Sequence, residues 1–254
     1  MTDTHCHLDD ARFDGEREEI IASFEEDGLE FVVNNSSSPE TTESTFLLAE
    51  RYPRIFGALG CHPQEAERYS SEYERRLIGL ADNTKIVAIG EIGLDYHYEG
   101  FDKELQRRVF ERQLAIADEL KLPVVLHVRD ATGDAYEILK ANSGKLRYGG
   151  EMHCYGGSAE MVGRFSEFDL YFAFGGSITY KNAKKEEIIR AVPKNRLLSE
   201  TDCPYLAPVP VRGQTNYPKY VRFALEKMAD ILGTSFSEVE KLTTENAKRL
   251  FGIR

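Results

Sequence analysis

A chain of 254 residues with a formal net charge of -11 has room for one large α/β domain with a sizeable core. Its acidity excludes a surface that grips duplex nucleic acid by charge alone, though not a nucleic-acid substrate, because bound cations would supply local positive charge. No apolar run is long enough to span a bilayer, the start Met1-Thr2-Asp3-Thr4-His5 lacks the basic and apolar parts of a signal peptide, and the four cysteines show no C-x-x-C spacing, so a reduced cytoplasmic setting is expected, with no membrane contact and no obligate protein partner.

Strand-like and helix-like segments alternate along the chain. Strands are expected over residues 2–6, 30–34, 55–60, 86–91, 123–127, 149–153, 169–174 and 196–199, each short and bounded by Gly, Pro, Asn or Asp. Between the first two, Ile20, Ile21 and Phe24 recur at helical spacing. Between the fourth and fifth, Leu105, Val109, Gln113, Ile116 and Leu120 do the same, with Glu, Arg and Lys on the other side. Ser235-Phe236-Ser237-Glu238 reads as a capping box opening a last, closing helix. Eight alternations predict an α/β fold of the (β/α)8 TIM-barrel type, a single domain over 1–254. The rival, a doubly wound open sheet, would want a Gly-rich dinucleotide loop after its first strand, and none is present.

Six residues stand at or just past the ends of these strands: His5, His7, Glu91, His127, His153 and Asp202. Strand ends of a parallel barrel point to one face. His5 and His7, two apart, share a side of their strand. Glu91 closes the run Ile86-Val87-Ala88-Ile89-Gly90, where a carboxylate is costly to bury unless a cation or donor meets it. Each residue alone has a bland reading as a hydrogen-bonded core or surface group. Together they point to a site for two divalent metal ions. The mixed imidazole–carboxylate set fits zinc first, accommodates manganese, nickel or iron, and suits magnesium, which prefers oxygen ligands, least. Two such ions lower the pKa of a shared water and brace an oxyanion. Glu91 and Asp202 are therefore also catalytic candidates, Asp202 as a holder of the water's proton.

The surrounding motifs are more specific. Asp3-Thr4-His5-Cys6-His7, Gly60-Cys61-His62-Pro63, Gly90-Glu91-Ile92-Gly93-Leu94-Asp95, His127-Val128-Arg129-Asp130-Ala131, His153-Cys154-Tyr155-Gly156-Gly157 and Glu200-Thr201-Asp202-Cys203-Pro204-Tyr205 resemble the TatD family. So do Arg212-Gly213 with Asn216 and Pro218, and Asn246 with Arg249-Leu250-Phe251-Gly252. The resemblance covers nearly the whole chain. It implies a metal-dependent TIM barrel of the amidohydrolase superfamily and deoxyribonuclease activity, exonucleolytic in several members. It implies that His5, His7 and Asp202 bind one metal, that His127 and His153 bind the other, and that Glu91 bridges them. Some members lack the H-x-H pair; this sequence has it.

Further candidates follow the same strands. His62, Arg129 and Arg212 are expected to bind substrate, His62 at a phosphate or leaving oxygen and the arginines as phosphate clamps. Their bland readings are a helix-capping histidine and arginines paired with carboxylates. Glu200 shares a strand side with Asp202 and is a catalytic candidate, either orienting the water or standing behind a ligand. Lys181 and His97 read as solvated loop residues. Every cysteine flanks a candidate. Cys6 and Cys154 are expected to turn away from the mouth and pack against the helix layer, while the direction of Cys203 is open. The expected substrate is DNA, taken as a single-stranded end, from the 3′ side as in related exonucleases. The alternative is a small-molecule ester, lactone or amide on the same site, and a rival of another class is a non-catalytic binding barrel.

Overall fold

The computed structural model describes residues 1–254. Eight strands, β1 (Thr2–Cys6), β2 (Phe31–Asn35), β3 (Ile55–Leu59), β4 (Ile86–Asp95), β5 (Val124–Arg129), β6 (Gly150–Met152), β7 (Leu170–Phe174) and β8 (Leu197–Ser199), pair in parallel in sequential order. Each leads into a helix: α1 (Arg17–Ala22), α2 (Pro39–Arg51), α3 (Ser71–Ala81), α4 (Lys103–Leu120), α5 (Thr132–Ala141), α6 (Ala159–Ser166), α7 (Glu186–Ala191) and α8 (Val221–Leu232). A ninth helix, α9 (Phe236–Phe251), ends the chain. The order closes between β8 and β1 through a parallel bridge of Cys6 with Cys203, with His7 N–H donating to the Cys203 carbonyl and Asp202 N–H to the His5 carbonyl, both at 2.8 Å. The expected TIM barrel is observed.

The strands are apolar because both faces are covered. Phe31, Val33, Ala58, Val87, Val125, Tyr171, Ala173 and Leu198 form a core cluster with Ala247, Leu250 and Phe251 of α9, so the last helix caps one end of the barrel. A larger layer lies between strands and helices. There α4 buries Val109, Phe110, Leu114 and Ile116, each contributing about 1.5–3 kcal/mol by leaving water. The start of α9 is the expected capping box: Glu238 N–H donates to Ser235 Oγ at 3.2 Å, and Ser235 N–H to Glu238 Oε2 at 3.0 Å.

Two strands depart usefully from the expected bounds. β4 runs on to Asp95, because Ile92 and Leu94 keep facing the helix layer while Glu91, Gly93 and Asp95 alternate with them. β6 stops at Met152, so His153 and Cys154 already lie beyond the regular strand. Buried glutamines of α4 anchor the loops beside the mouth. Gln113 holds both the N–H and the carbonyl of Cys61 (2.8 and 3.0 Å), and Gln106 does the same for Asp95 (2.9 and 3.0 Å). Gln113, read from its spacing as part of the buried stripe, is there to satisfy backbone groups at the end of β3.

Candidate metal centre

The six strand-end residues converge at one mouth of the barrel. His5 is fully buried at the end of β1, and His7 follows one residue past it. Their Nε2 atoms are 3.2 Å apart. Glu91 Oε2 lies 3.6 Å from His5 Nε2 and 3.8 Å from His7 Nε2; Asp202 Oδ1 lies 3.9 and 3.4 Å from the same two atoms. A tetrahedral zinc shell with its usual bond lengths spaces its donors by about 3.4 Å, so these four atoms suit a common cation. The other oxygen of Glu91 faces a second set. Oε1 is 2.9 Å from His127 Nδ1 and 3.9 Å from His153 Nε2. Asp202 Oδ1 also reaches within 3.9 Å of His153 Nε2.

Three of the four rings are held so that one nitrogen is spoken for, while His5 Nδ1 is buried without a partner. His7 Nδ1 meets the Asn35 carbonyl at 2.8 Å, His153 Nδ1 meets Glu200 Oε2 at 2.8 Å, and His127 Nε2 meets Asp95 Oδ2 at 3.1 Å. An N–H given to those acceptors leaves the opposite nitrogen with a lone pair for a metal. Electrostatics agree with a site built for cations. Burial opposes the charged form of Glu91, yet His5, His62 and His127 together hold its carboxyl well below the usual range. Burial likewise opposes a charged His7, but its bond to Asp202 and the charge of Glu91 raise it to about 9. His5, by contrast, is lowered to about 3 by burial and by its neighbour His153. With His7 protonated and His5 neutral, the 3.2 Å contact between their Nε2 atoms is an N–H···N hydrogen bond, and a metal ion bound by both would take the place of that proton.

Behind the ligands stand acids that sequence reasoning missed. Asp95 holds His127 and accepts Gln64 Nε2–H at 2.9 Å. Asp3 is raised to about 8 by burial and accepts the N–H and hydroxyl of Thr201 at 2.8 and 2.6 Å. Glu151, pushed well above its usual range by burial and by Glu200, accepts the Thr4 hydroxyl at 2.8 Å. The available signal for Asp95 was its place four residues after Glu91, hence on the same side of a strand that continues.

Other expectations have mixed outcomes. Glu200 is fully buried behind His153, with its second oxygen taken by Cys154 N–H at 2.8 Å. Of the two roles expected of it, it takes the second: it stands behind His153 and positions that ring. Arg212 is exposed, lies 4.3 Å over the Tyr180 ring and stands outside the residues that line the cavity. Cys154 faces the mouth rather than the helix layer, because β6 has ended and its φ of 44° breaks the alternation. Cys6 does pack inside, its S–H toward the Val33 carbonyl at 3.4 Å, and Cys203 joins the same cluster. Lys181 is exposed, and the exposed His97 pairs with Asp130 at 2.8 Å. Arg129 does line the cavity, which has a volume of about 630 Å³. His62 combines its two readings. Its Nδ1 accepts Gln64 N–H at 3.2 Å as a helix cap, while Nε2 points inward, 3.8 Å from Glu91 Oε1.

The profile of the TatD-related DNase family matches residues 2–252. The chain belongs to this family. It is 42% identical over 254 residues to the uncharacterized metal-dependent hydrolase YabD of Bacillus subtilis, covering 100% of this chain and 99% of that protein. It is 29% identical to the 3′-5′ ssDNA/RNA exonuclease TatD of Salmonella typhimurium, over 100% of this chain and 99% of the other. The crystal structure of the TatD homologue YJJV from Escherichia coli superposes with a TM-score of 0.92 at 29% identity, over 100% of this chain and 98% of that one. The TatD match spans every strand that supplies a candidate ligand. No helix of this TatD barrel is long and apolar enough to cross a membrane.

Proposed function

We propose that the protein is a metal-dependent hydrolase that cuts phosphodiester bonds in DNA from single-stranded 3′ ends, using two divalent ions held by the strand-end donors. His5, His7, Glu91 and Asp202 would hold one ion, and Glu91, His127 and His153 the other. The observation that carries this reading is the division of Glu91: one oxygen faces His5 and His7, the other His127 and His153. The family description and the name of the Salmonella relative favour a nucleic-acid substrate. When bound, such a pair of ions, zinc first among the candidates, supplies an activated water and draws charge from a phosphate.

The chain's own groups then have defined tasks. Asp202, kept ionised by His7 and His153 despite its burial, can receive a proton at a carboxylate oxygen. His62 is neutral, since burial and His127 lower it to about 3, and its Nδ1 is occupied by a backbone N–H; its ring proton therefore sits on Nε2 and is offered to a substrate oxygen. Arg129 gives the rim a fixed positive charge. Asp95 and Glu200 hold the rings of His127 and His153 in place.

The test uses protein loaded in turn with zinc, manganese, nickel, iron or magnesium. Substrates are an end-labelled linear strand, a closed circular strand, and a panel of lactones, esters and amides. Expected is chelator-sensitive release of mononucleotides from the 3′ end of the linear strand, with a shallow salt dependence because phosphate contacts are few. Rapid cutting of the circle rejects the end-directed mode. Turnover confined to the small molecules rejects the nuclease reading itself.

A further inference from the structure

The rim of the cavity carries two tyrosines used neither by the candidate metal centre nor by the core. Tyr98 is 52% exposed and Tyr205 48% exposed, and both line the cavity. They follow β4 and β8, which stand four strands apart in an eight-stranded ring, so the two rings occupy opposite sides of the mouth. Each has a guanidinium over one face, supplied from the next strand around the ring. Arg129, ending β5, lies 5.2 Å from the Tyr98 centroid, and Arg12, after β1, lies 4.2 Å from the Tyr205 centroid. The Tyr205 ring also stands edge-on to His7 at 6.1 Å, which puts it beside the candidate ligands. Arg12 is neutralised by Asp10 at 2.9 and 2.8 Å. Packing does not account for two large rings left half open on opposite loops. A half-open aromatic ring backed by a guanidinium is a platform for another flat π-system.

Taking the phosphodiester reading as its basis, we propose that Tyr98 and Tyr205 are stacking platforms for two nucleobases, one on each side of the phosphate that is cut. The substrate is then an unpaired strand, since a base inside a duplex has both faces covered by its neighbours. Stacking is tolerant of sequence because every base has a π-face. It also gives a chain of net charge -11 a means of holding a polyanion that does not depend on a basic track.

The chain contains no tryptophan, so Tyr98→Trp and Tyr205→Trp each introduce a single emitter at a platform. Metal-loaded full-length protein is titrated with a short oligothymidylate carrying phosphorothioate linkages, which slow cutting, and with an abasic strand of the same backbone. Expected is saturable quenching at both positions by the oligothymidylate and none by the abasic strand. Tyr98→Leu and Tyr205→Leu should each weaken oligothymidylate binding by about tenfold at unchanged metal content, while Tyr98→Phe and Tyr205→Phe stay within about twofold. Equal affinity for the abasic strand, or leucine variants that bind like the parent, overturns the stacking assignment. Oligonucleotide cleavage with unquenched emission overturns it while leaving the nuclease reading standing. Failure of the parent protein to bind or cut any strand overturns both.

Discussion

Glu91 is the residue on which the candidate centre turns, because its two oxygens belong to different donor sets. Glu91→Gln keeps the shape and removes the shared charge. Most activity should be lost with the far-ultraviolet circular dichroism unchanged; normal turnover at normal metal content would refute the bridging role. Glu200 tests a different property. Buried against His153, it touches nothing that reacts. Glu200→Gln should lower metal affinity or turnover by about 10–100-fold through a loosened ring, with the loss visible in direct metal titration. The six candidate ligands are legible in sequence because residue type and strand-end position coincide. Asp3 and Glu151 are not. Each looks like a polar interruption of a strand, and the hydroxyls that meet them, on Thr201 and Thr4, lie 198 and 147 residues away along the chain. The direction of Arg212 is not legible for a different reason: a loop arginine has no strand alternation to fix where it points, and it settles over Tyr180.

At the scale of elements, the alternation of short apolar strands with amphipathic helices suffices to order the barrel, while strand ends are less legible. A carboxylate after an apolar run reads as a stop, yet β4 passes through Glu91 because a buried cluster of imidazoles receives it. Gly93 makes that continuation feasible. Its φ is 140°, and a Cβ there would stand 2.0 Å from the His127 carbonyl oxygen of β5. Gly93→Ala should therefore destabilise by about 1–3 kcal/mol from backbone conformation alone, with the clash added to it. Denaturant midpoints measure the loss, and metal titration should show His127 displaced. A variant as stable as the parent would mean that β4 and β5 can separate here without consequence.

In the whole molecule, one end of the barrel is filled by α9 and the other carries every candidate ligand. Stability and chemistry are thus placed at opposite ends, as is usual for this architecture. The separation is incomplete at one point. Where β8 meets β1 the regular ladder gives way to single bonds made by the backbones of His5, His7 and Asp202. The residues whose side chains would grasp an ion are the same ones whose amides shut the ring. Ion binding at this centre should therefore favour ring closure and be favoured by it, by up to about 2.7 kcal/mol when the free ion exceeds its dissociation constant a hundredfold. Added zinc should slow hydrogen exchange of the His7 and Asp202 amides selectively, leaving β5 amides unaffected. Uniform slowing, or none, would show the two to be independent. If they are coupled, the join between the last strand and the first acts as a clasp: the barrel is fastened by the ion that it employs.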